Sequence, residues 1–343
     1  MKIVPVSRGL LLLALLAAIL LIFDLNNRNK NANSNADGWS KQKNNQPIDI
    51  NILLYNESPV SEDTEKGFIE GFGNLGLKRQ KDYTLQVYNS QGDIATLSTI
   101  VETVLANPPD LLFTATTPVS QAVSKKVKKI PVFFATVADP VVAGLGKDFK
   151  NHLPNLTGIS TMSDFEQMIA DIKILMPHCK TLGTIFCPVE ANSVAYEKYL
   201  RETAGEHGLK LISVPANSTS EVPDAALSLV NNQIDAVCHL SDNLTGGTFT
   251  YIIQSADKKG IPYFSFTEHQ ADKGSVMTIA RDYRQAGVDA VMLAKKYMDG
   301  TPIADIPIEY VSKTIITINK KQIRKYGLKL TQQLEQKADK IIE

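Results

Sequence analysis

Residues Asp110–Pro140 read DLLFTATTPVSQAVSKKVKKIPVFFATVADP, and this stretch decides the fold. Leu111–Ala115 reads as a buried strand, Thr116-Thr117-Pro118 as a polar turn and Val119–Lys128 as a short helix. Pro131–Thr136 is a second strand, and Asp139-Pro140 a second polar turn. Both strands are continuous apolar runs, the pattern of parallel strands covered on both faces. The same grammar returns from Asp235, where DAVCHLSDN is followed by a helical run and then KKGIPYFSFTEHQ. In each copy an Asp opens the strand, Thr-Thr-Pro or Ser-Asp-Asn ends it, and Lys-Lys followed by Ile-Pro leads to the next strand. Two such units imply two similar α/β lobes that present their strand tips to one crevice, the edge where open parallel sheets take ligands.

The totals agree with a globular chain. It has 343 residues, enough for two domains, with 43% apolar and 21% charged residues. Lys+Arg and Asp+Glu are equal at 36 each, so no global charge favours nucleic acid. Cys179, Cys187 and Cys238 show no metal spacing; Cys187 and Cys238, at or near strand ends, read as small buried residues, with a disulfide the lesser alternative. GxSxG, HExxH and GxxxxGK[ST] are absent, and the five histidines are scattered. The formal GxGxxG at Gly71–Gly76 falls at a helix C-terminus, where glycine terminates helices, and not between a strand and a helix start. No catalytic residue, metal or cofactor is expected.

Residues 1–23 carry a basic start and the apolar run Leu10–Phe23, which reads as a signal peptide or an uncleaved membrane anchor. Residues 24–46 are Asn-rich and read as a tether. From Ile48 onward strands alternate with helices of 10–15 residues, the signature of βαβ units.

Small polar residues gather at seven strand exits: Asn56-Glu57-Ser58, Asn89-Ser90-Gln91, Thr116-Thr117, Asp139, Glu190 with Asn192 and Ser193, Asp242-Asn243, and Thr267-Glu268. Several of these turns precede helices, whose positive ends and free N–H groups would face the crevice. Thr116-Thr117-Pro118 suits a carboxylate, because Pro at the first helical position has no N–H to leave unused. Asp242, Glu190 and Asp139 are acceptors suited to an ammonium. Helix capping explains any one of these turns, but it does not require acids and amides at so many exits.

Six motifs in order resemble the substrate-binding proteins of ABC transporters, in the family with tryptophan- and tyrosine-type binding proteins. They are NSQGD (Asn89–Asp93), TTPVSQAV (Thr116–Val123), IPVFFATVADPVVAGL (Ile130–Leu145), NLTGIS (Asn155–Ser160), EANS (Glu190–Ser193) and SDN (Ser241–Asn243). The resemblance implies the type I periplasmic-binding-protein fold: two Rossmann-like lobes with parallel sheets, joined by three crossings near Ile159, Ala280 and Pro307. Lobe 1 would hold residues 47–158 and 281–306, lobe 2 residues 159–280 and 307–330, with 331–343 as a tail.

By resemblance, Thr116 and Thr117 take an amino acid's carboxylate, and Asp242, with Glu190, its ammonium. Tyr55, Phe134 or Phe266 either wall the ligand's side chain or belong to the core. The chain departs from the family at Asn56-Glu57-Ser58-Pro59, where a His-Pro is common, and in Gly246-Gly247 after the SDN motif. The implied protein is an extracytoplasmic, monomeric, non-enzymatic receptor that delivers a small molecule, best an amino acid, to an ABC permease. The alternative is an anchored sensing domain that signals through a membrane partner.

Overall fold

A computed structural model describes residues 46–343. The apolar leader and the tether up to residue 45 lie outside the described residues. Among those described, no helix is long and apolar enough to cross a membrane.

The first sheet is built from β1 (Ile48–Leu54), β2 (Tyr83–Asn89), β3 (Leu111–Ala115), β4 (Val132–Val137), β5 (Leu156–Ser160) and the short β11 (Glu309–Tyr310), in the order β11-β5-β4-β3-β1-β2. Every pairing in it is parallel. Helices α1 (Pro59–Asn74) and α8 (Tyr283–Met298) cover one face, while α2 (Ile94–Ala106) and α3 (Thr117–Lys126) cover the other. Side chains alternate accordingly: Ile48, Ile50, Ile52 and Leu54 pack toward α1 and α8, while Leu53 packs toward α2 and α3. With both faces buried, every residue of β3 and β4 can be apolar, as the sequence suggests.

The second sheet repeats the plan with β6 (Thr181–Phe186), β7 (Lys210–Pro215), β8 (Ala236–His239), β9 (Tyr263–Ser265) and β10 (Met277–Arg281). β12 (Thr314–Asn319) and β13 (Lys340–Ile342) are added at the edge, giving β13-β12-β10-β9-β8-β6-β7. Its helices are α4 (Phe165–Leu175), α5 (Ala191–Glu206), α6 (Val222–Asn231) and α7 (Asn243–Lys258), followed at the C-terminus by α9 (Lys320–Lys325) and α10 (Gln332–Lys337). The two copies of the sequence grammar are β3-α3-β4 and β8-α7-β9, which hold equivalent places in their sheets. The molecule is an α/β protein of two lobes.

The chain passes between sheets after β5, between β10 and α8, and between β11 and β12. The last passage comes later than expected. Glu309 and Tyr310 still pair with β5, and the chain leaves the first sheet at Val311–Lys313 and not near Pro307. Arg281 ties the three crossings together: its Nε donates to the Met162 carbonyl at 2.7 Å, and its guanidinium also reaches Thr314 Oγ1. Residues 331–343, expected as a tail, form α10 and β13. Lys337 of α10 pairs with the buried Asp171 of α4 at 3.2 Å.

The glycines of α1 have a packing role that the spacing alone conceals. A Cβ at Gly67 would lie 2.0 Å from the Arg284 carbonyl oxygen of α8, and one at Gly287 would lie 2.4 Å from the Thr64 carbonyl oxygen. Helices α1 and α8 therefore touch backbone to backbone. Only Gly76, beyond the helix end at φ +77°, serves as the terminator expected of this motif. The three cysteines are buried and free, so the disulfide alternative falls away.

Candidate functional site

The strand exits of the two sheets face each other across a cleft enclosing about 640 Å³, solvent at its mouth included. Lobe 1 contributes Thr116, Thr117, Thr136 and Ser58-Pro59-Val60; lobe 2 contributes Asn192, Tyr196, Asp242, Asn243 and Phe249.

The floor from lobe 1 is strained. Thr116 has φ +77° and ψ 156°, and Thr136 has φ +55°, conformations that a β-branched residue rarely adopts. The strain has a local cause. In β4, Phe134 pairs with Gly158 and Val137 with Ser160, so two residues of β4 oppose one of β5 in a β-bulge. The bulge turns Thr136 so that its Oγ1 accepts from the Thr116 N–H at 2.9 Å. Thr116 is thereby held at the mouth of α3 with its own Oγ1 buried and without a hydrogen-bond partner. Thr117 starts α3, and its Oγ1 accepts weakly from the Ala138 N–H at 3.4 Å. Two threonines and the N-terminal end of α3 thus meet the cleft, an arrangement suited to an anion.

Lobe 2 offers the opposite chemistry. Asp242 caps α7, its Oδ1 accepting from the Thr245 N–H at 2.7 Å and from the Thr245 hydroxyl at 2.6 Å. Its Oδ2 accepts from Ser193 Oγ at 2.6 Å. Glu190 precedes α5 without capping it; its Oε2 instead accepts from the Asn243 N–H at 3.1 Å and the Asn243 amide at 2.9 Å. Burial and the neighbouring Asp242 push the Glu190 carboxyl up to about 7, and burial raises Asp242 as well. Asn192 donates to Glu190 at 3.3 Å, which leaves its Oδ1 buried and unpartnered beside the cleft.

Of the residues expected from sequence, Thr116, Thr117, Asn192, Asp242, Asn243 and Thr267 line the cleft. Glu190 and Ser193 lie directly behind it, bonded to Asn243 and Asp242. Four others are placed outside the lining. Asn56 accepts from Ser61 Oγ at 3.2 Å, and Glu57 faces Gln91 at 3.5 Å. Glu268 pairs with Lys340, and Asp139 caps its own turn at Val141 while accepting from Tyr199 OH of lobe 2 at 2.9 Å. Phe134 and Phe266 are fully buried core residues, and Tyr55 packs against the lobe 1 core.

The aromatic walls are Tyr196, Phe249 and Tyr283 instead. Tyr196 follows Asn192 by four residues on α5, and Phe249 follows Asp242, the cap of α7, by seven. Helical periodicity carried inward from Asn192 and Asp242 would have found both. Tyr283 begins α8 and shares a 2.6 Å hydrogen bond with Ser241. Gly246 also lines the cleft, and a Cβ there would meet nothing within 4 Å, so the glycine leaves room.

The lobes also touch each other at the rim. His269 of lobe 2 bonds to Asp63 of α1 at 2.8 Å, and this partner raises the imidazole's pKa. With the Tyr199–Asp139 contact, this bond holds the cleft closed from both sides.

A two-lobed α/β fold whose strand tips enclose a cleft is the architecture of the type I periplasmic binding proteins. Residues 49–342 match the family model for ABC transporter substrate binding proteins, and the chain belongs to that family. It is a binding protein and not an enzyme, and proteins of this family act outside the cytoplasmic membrane.

The chain is 28% identical over 313 residues to a tyrosine-binding protein of Clostridioides difficile, covering 90% of each chain. It is 25% identical, with a TM-score of 0.82, to a domain from Streptococcus pneumonia solved in complex with L-Trp; the match covers 87% of this chain and 100% of the other. A ligand-free, open substrate-binding protein with adhesive properties from Clostridium difficile, also 25% identical, superposes at a TM-score of only 0.68, over 86% of this chain and 99% of that one.

Proposed function

We propose that the protein captures an amino acid, best an aromatic one, outside the cytoplasmic membrane and delivers it to the permease of an ABC importer. One observation carries this reading: a single cleft sets the N-terminal end of α3 with two threonines against the Asp242–Glu190 pair on the other lobe, between aromatic walls. An α-amino acid has both charges on one carbon and a side chain that projects away from them. The carboxylate goes to Thr116 and Thr117, the ammonium to the acid pair and Asn192 Oδ1, and the side chain to Tyr196, Phe249 and Tyr283. The relatives' ligands, tyrosine and L-Trp, fit the same chemistry. Because the two ends of the ligand belong to different lobes, binding favours closure, and the closed form is the one to hand to a permease.

Calorimetry and thermal shift with L-tryptophan, L-tyrosine, the other amino acids, sugars and simple carboxylic acids test the proposal. An aromatic amino acid at a hundred times its dissociation constant adds about 2.7 kcal/mol, a rise in Tm of several degrees. A sugar or a simple acid that binds while every amino acid fails would refute it.

A further inference from the structure

Glu190 and Asp242 are both buried, at 8% and 6% exposure, and they sit at the starts of adjacent helices bridged by Asn243. Among the described residues no lysine, arginine or histidine forms an ion pair with either of them. Two adjacent buried carboxylates without a cation cannot both hold full charge, because desolvation and mutual repulsion both oppose it. The groups around them offer no positive charge. Tyr55 at the end of β1 and Cys187 at the end of β6 are both pushed toward their neutral forms, by burial first and then by Glu190's charge. His239, which bonds to the Thr245 hydroxyl behind Asp242 at 3.1 Å, is buried with its pKa lowered to about 3 and is neutral. Asp93 near Tyr55 is acidic. His269 lines the far part of the cleft and is committed to Asp63. Beside this pair, Asn192 Oδ1 is a buried acceptor with no partner.

We propose that in the ligand-free protein one proton occupies the Glu190–Asp242 pair, and that a ligand's ammonium replaces it, so that capture releases a proton. The inference deepens the amino-acid reading and rests on it. It also narrows the ligand class: the molecule must bring a cation, and a neutral solute or a simple anion leaves the pair protonated. Protonation is carried mainly by Glu190, since the three hydrogen bonds to Asp242 are short, 2.6–2.7 Å, and occupy both of its oxygens, whereas the three to Glu190 run from 2.9 to 3.3 Å and all fall on Oε2. The exchange balances: the N–H groups of the ammonium take the acceptor positions, and the carboxyl proton leaves to solvent.

The test is calorimetry of the purified protein with L-tryptophan and L-tyrosine from pH 5.5 to 8.5, in two buffers of different ionisation enthalpy. At pH 6 and below close to one proton should be released per ligand bound, falling to about half near pH 7 and toward zero above pH 8. Affinity should be about tenfold weaker at pH 6 than at pH 8. Glu190→Gln, which keeps the shape of the protonated acid, should release no proton and bind with little pH dependence. It still contains His269 and Asp242, and adding Asp63→Asn, which removes the partner of His269, separates a residual slope of the one from that of the other. Indole-3-propionate, tryptophan without its ammonium, should release no proton whether or not it binds.

A protonated-carboxyl infrared band in the ligand-free protein at pH 6, absent in Glu190→Gln, supports the proposal without any ligand. Tight binding of either amino acid with no proton release at pH 6 overturns the proposal and leaves the amino-acid reading intact. Failure of all amino acids to bind at every pH removes both.

Discussion

Replacing Thr116 by glycine tests whether the cleft floor stores strain for the ligand. Thr116 lies at φ +77°, ψ 156°, a region that is essentially glycine's own, and holding another residue there costs about 1–3 kcal/mol. A matched control is Thr157 of β5. It too is buried with an unpartnered Oγ1, but it has no positive φ. Thr157→Gly loses two buried carbons, the Cβ and its methyl, about 1.6 kcal/mol, and gains the unfolded-state freedom of glycine, about 0.5–1 kcal/mol. Its destabilisation should be about 2–2.6 kcal/mol. Thr116→Gly carries the same losses but relieves the strain, so its effect should run from about 1.5 kcal/mol destabilising to about 1 kcal/mol stabilising. Denaturant unfolding of both variants beside the parent measures the difference. Equal destabilisation within about 0.5 kcal/mol would refute the claim of strain, since single-residue errors are of that size. The same variant should lose affinity for L-tryptophan. The Thr116 hydroxyl makes no bond within the protein, and a hydrogen bond to a charged group is worth about 1.5–3 kcal/mol, a loss of tenfold or more. A protein about 1–3 kcal/mol more stable than Thr157→Gly that binds worse than the parent is the expected joint outcome.

Three further outcomes follow from the geometry. Glu190 has its pKa raised from 4.5 to about 7, so the folded protein holds this proton more tightly than the unfolded chain does. Its contribution, about 3 kcal/mol, is complete below pH 4.5 and lost as pH rises through 7; in denaturation profiles Glu190→Gln should remove that slope and be the more stable protein at pH 8. The imidazole of His269, followed by NMR, should titrate above its ordinary value in the parent and fall to it in Asp63→Asn; an unchanged titration would show that the lobes are not bonded there. Gly67→Ala should destabilise by about 2–3 kcal/mol or more because its Cβ meets the Arg284 carbonyl, whereas Gly73→Ala on the same helix, with nothing within 4 Å, should be neutral or mildly stabilising by thermal melting.

Much of the architecture is legible in the sequence because burial on both faces leaves a continuous apolar run, and the Lys-Lys, Ile-Pro punctuation marks each copy of the unit. The third crossing is not legible, since β11 is two residues long and carries no period. The bulge at Thr136 is hidden as well. FFATVA contains no glycine or proline, and only the register against β5 shows that an extra residue is accommodated there. Strand exits are a sound guide to which residues line the cleft, but a polar exit residue has other uses. Glu268 and Asp139 are occupied by Lys340 and by Tyr199 with their own turn, and a sequence gives no account of which neighbour claims a carboxylate.

The aromatic residues of the cleft show why exits alone are an incomplete guide. A strand exit fixes the backbone where the ligand's charges are met, yet the ligand's side chain extends past that point toward the flanking helices. Positions one and two turns into those helices, on the faces of Asn192 in α5 and of the cap Asp242 in α7, are where Tyr196 and Phe249 stand. The glycine at Gly246 lies on that same face of α7, with open space where a side chain would be. Charge recognition and side-chain recognition are thus divided along each helix. In the function proposed above, the first residues would select an amino acid and the next two turns which one. Filling that space with Gly246→Leu should therefore weaken aromatic ligands more than small ones, as measured by calorimetry with L-tryptophan beside L-alanine. An equal loss for both would place the side chain against some other wall.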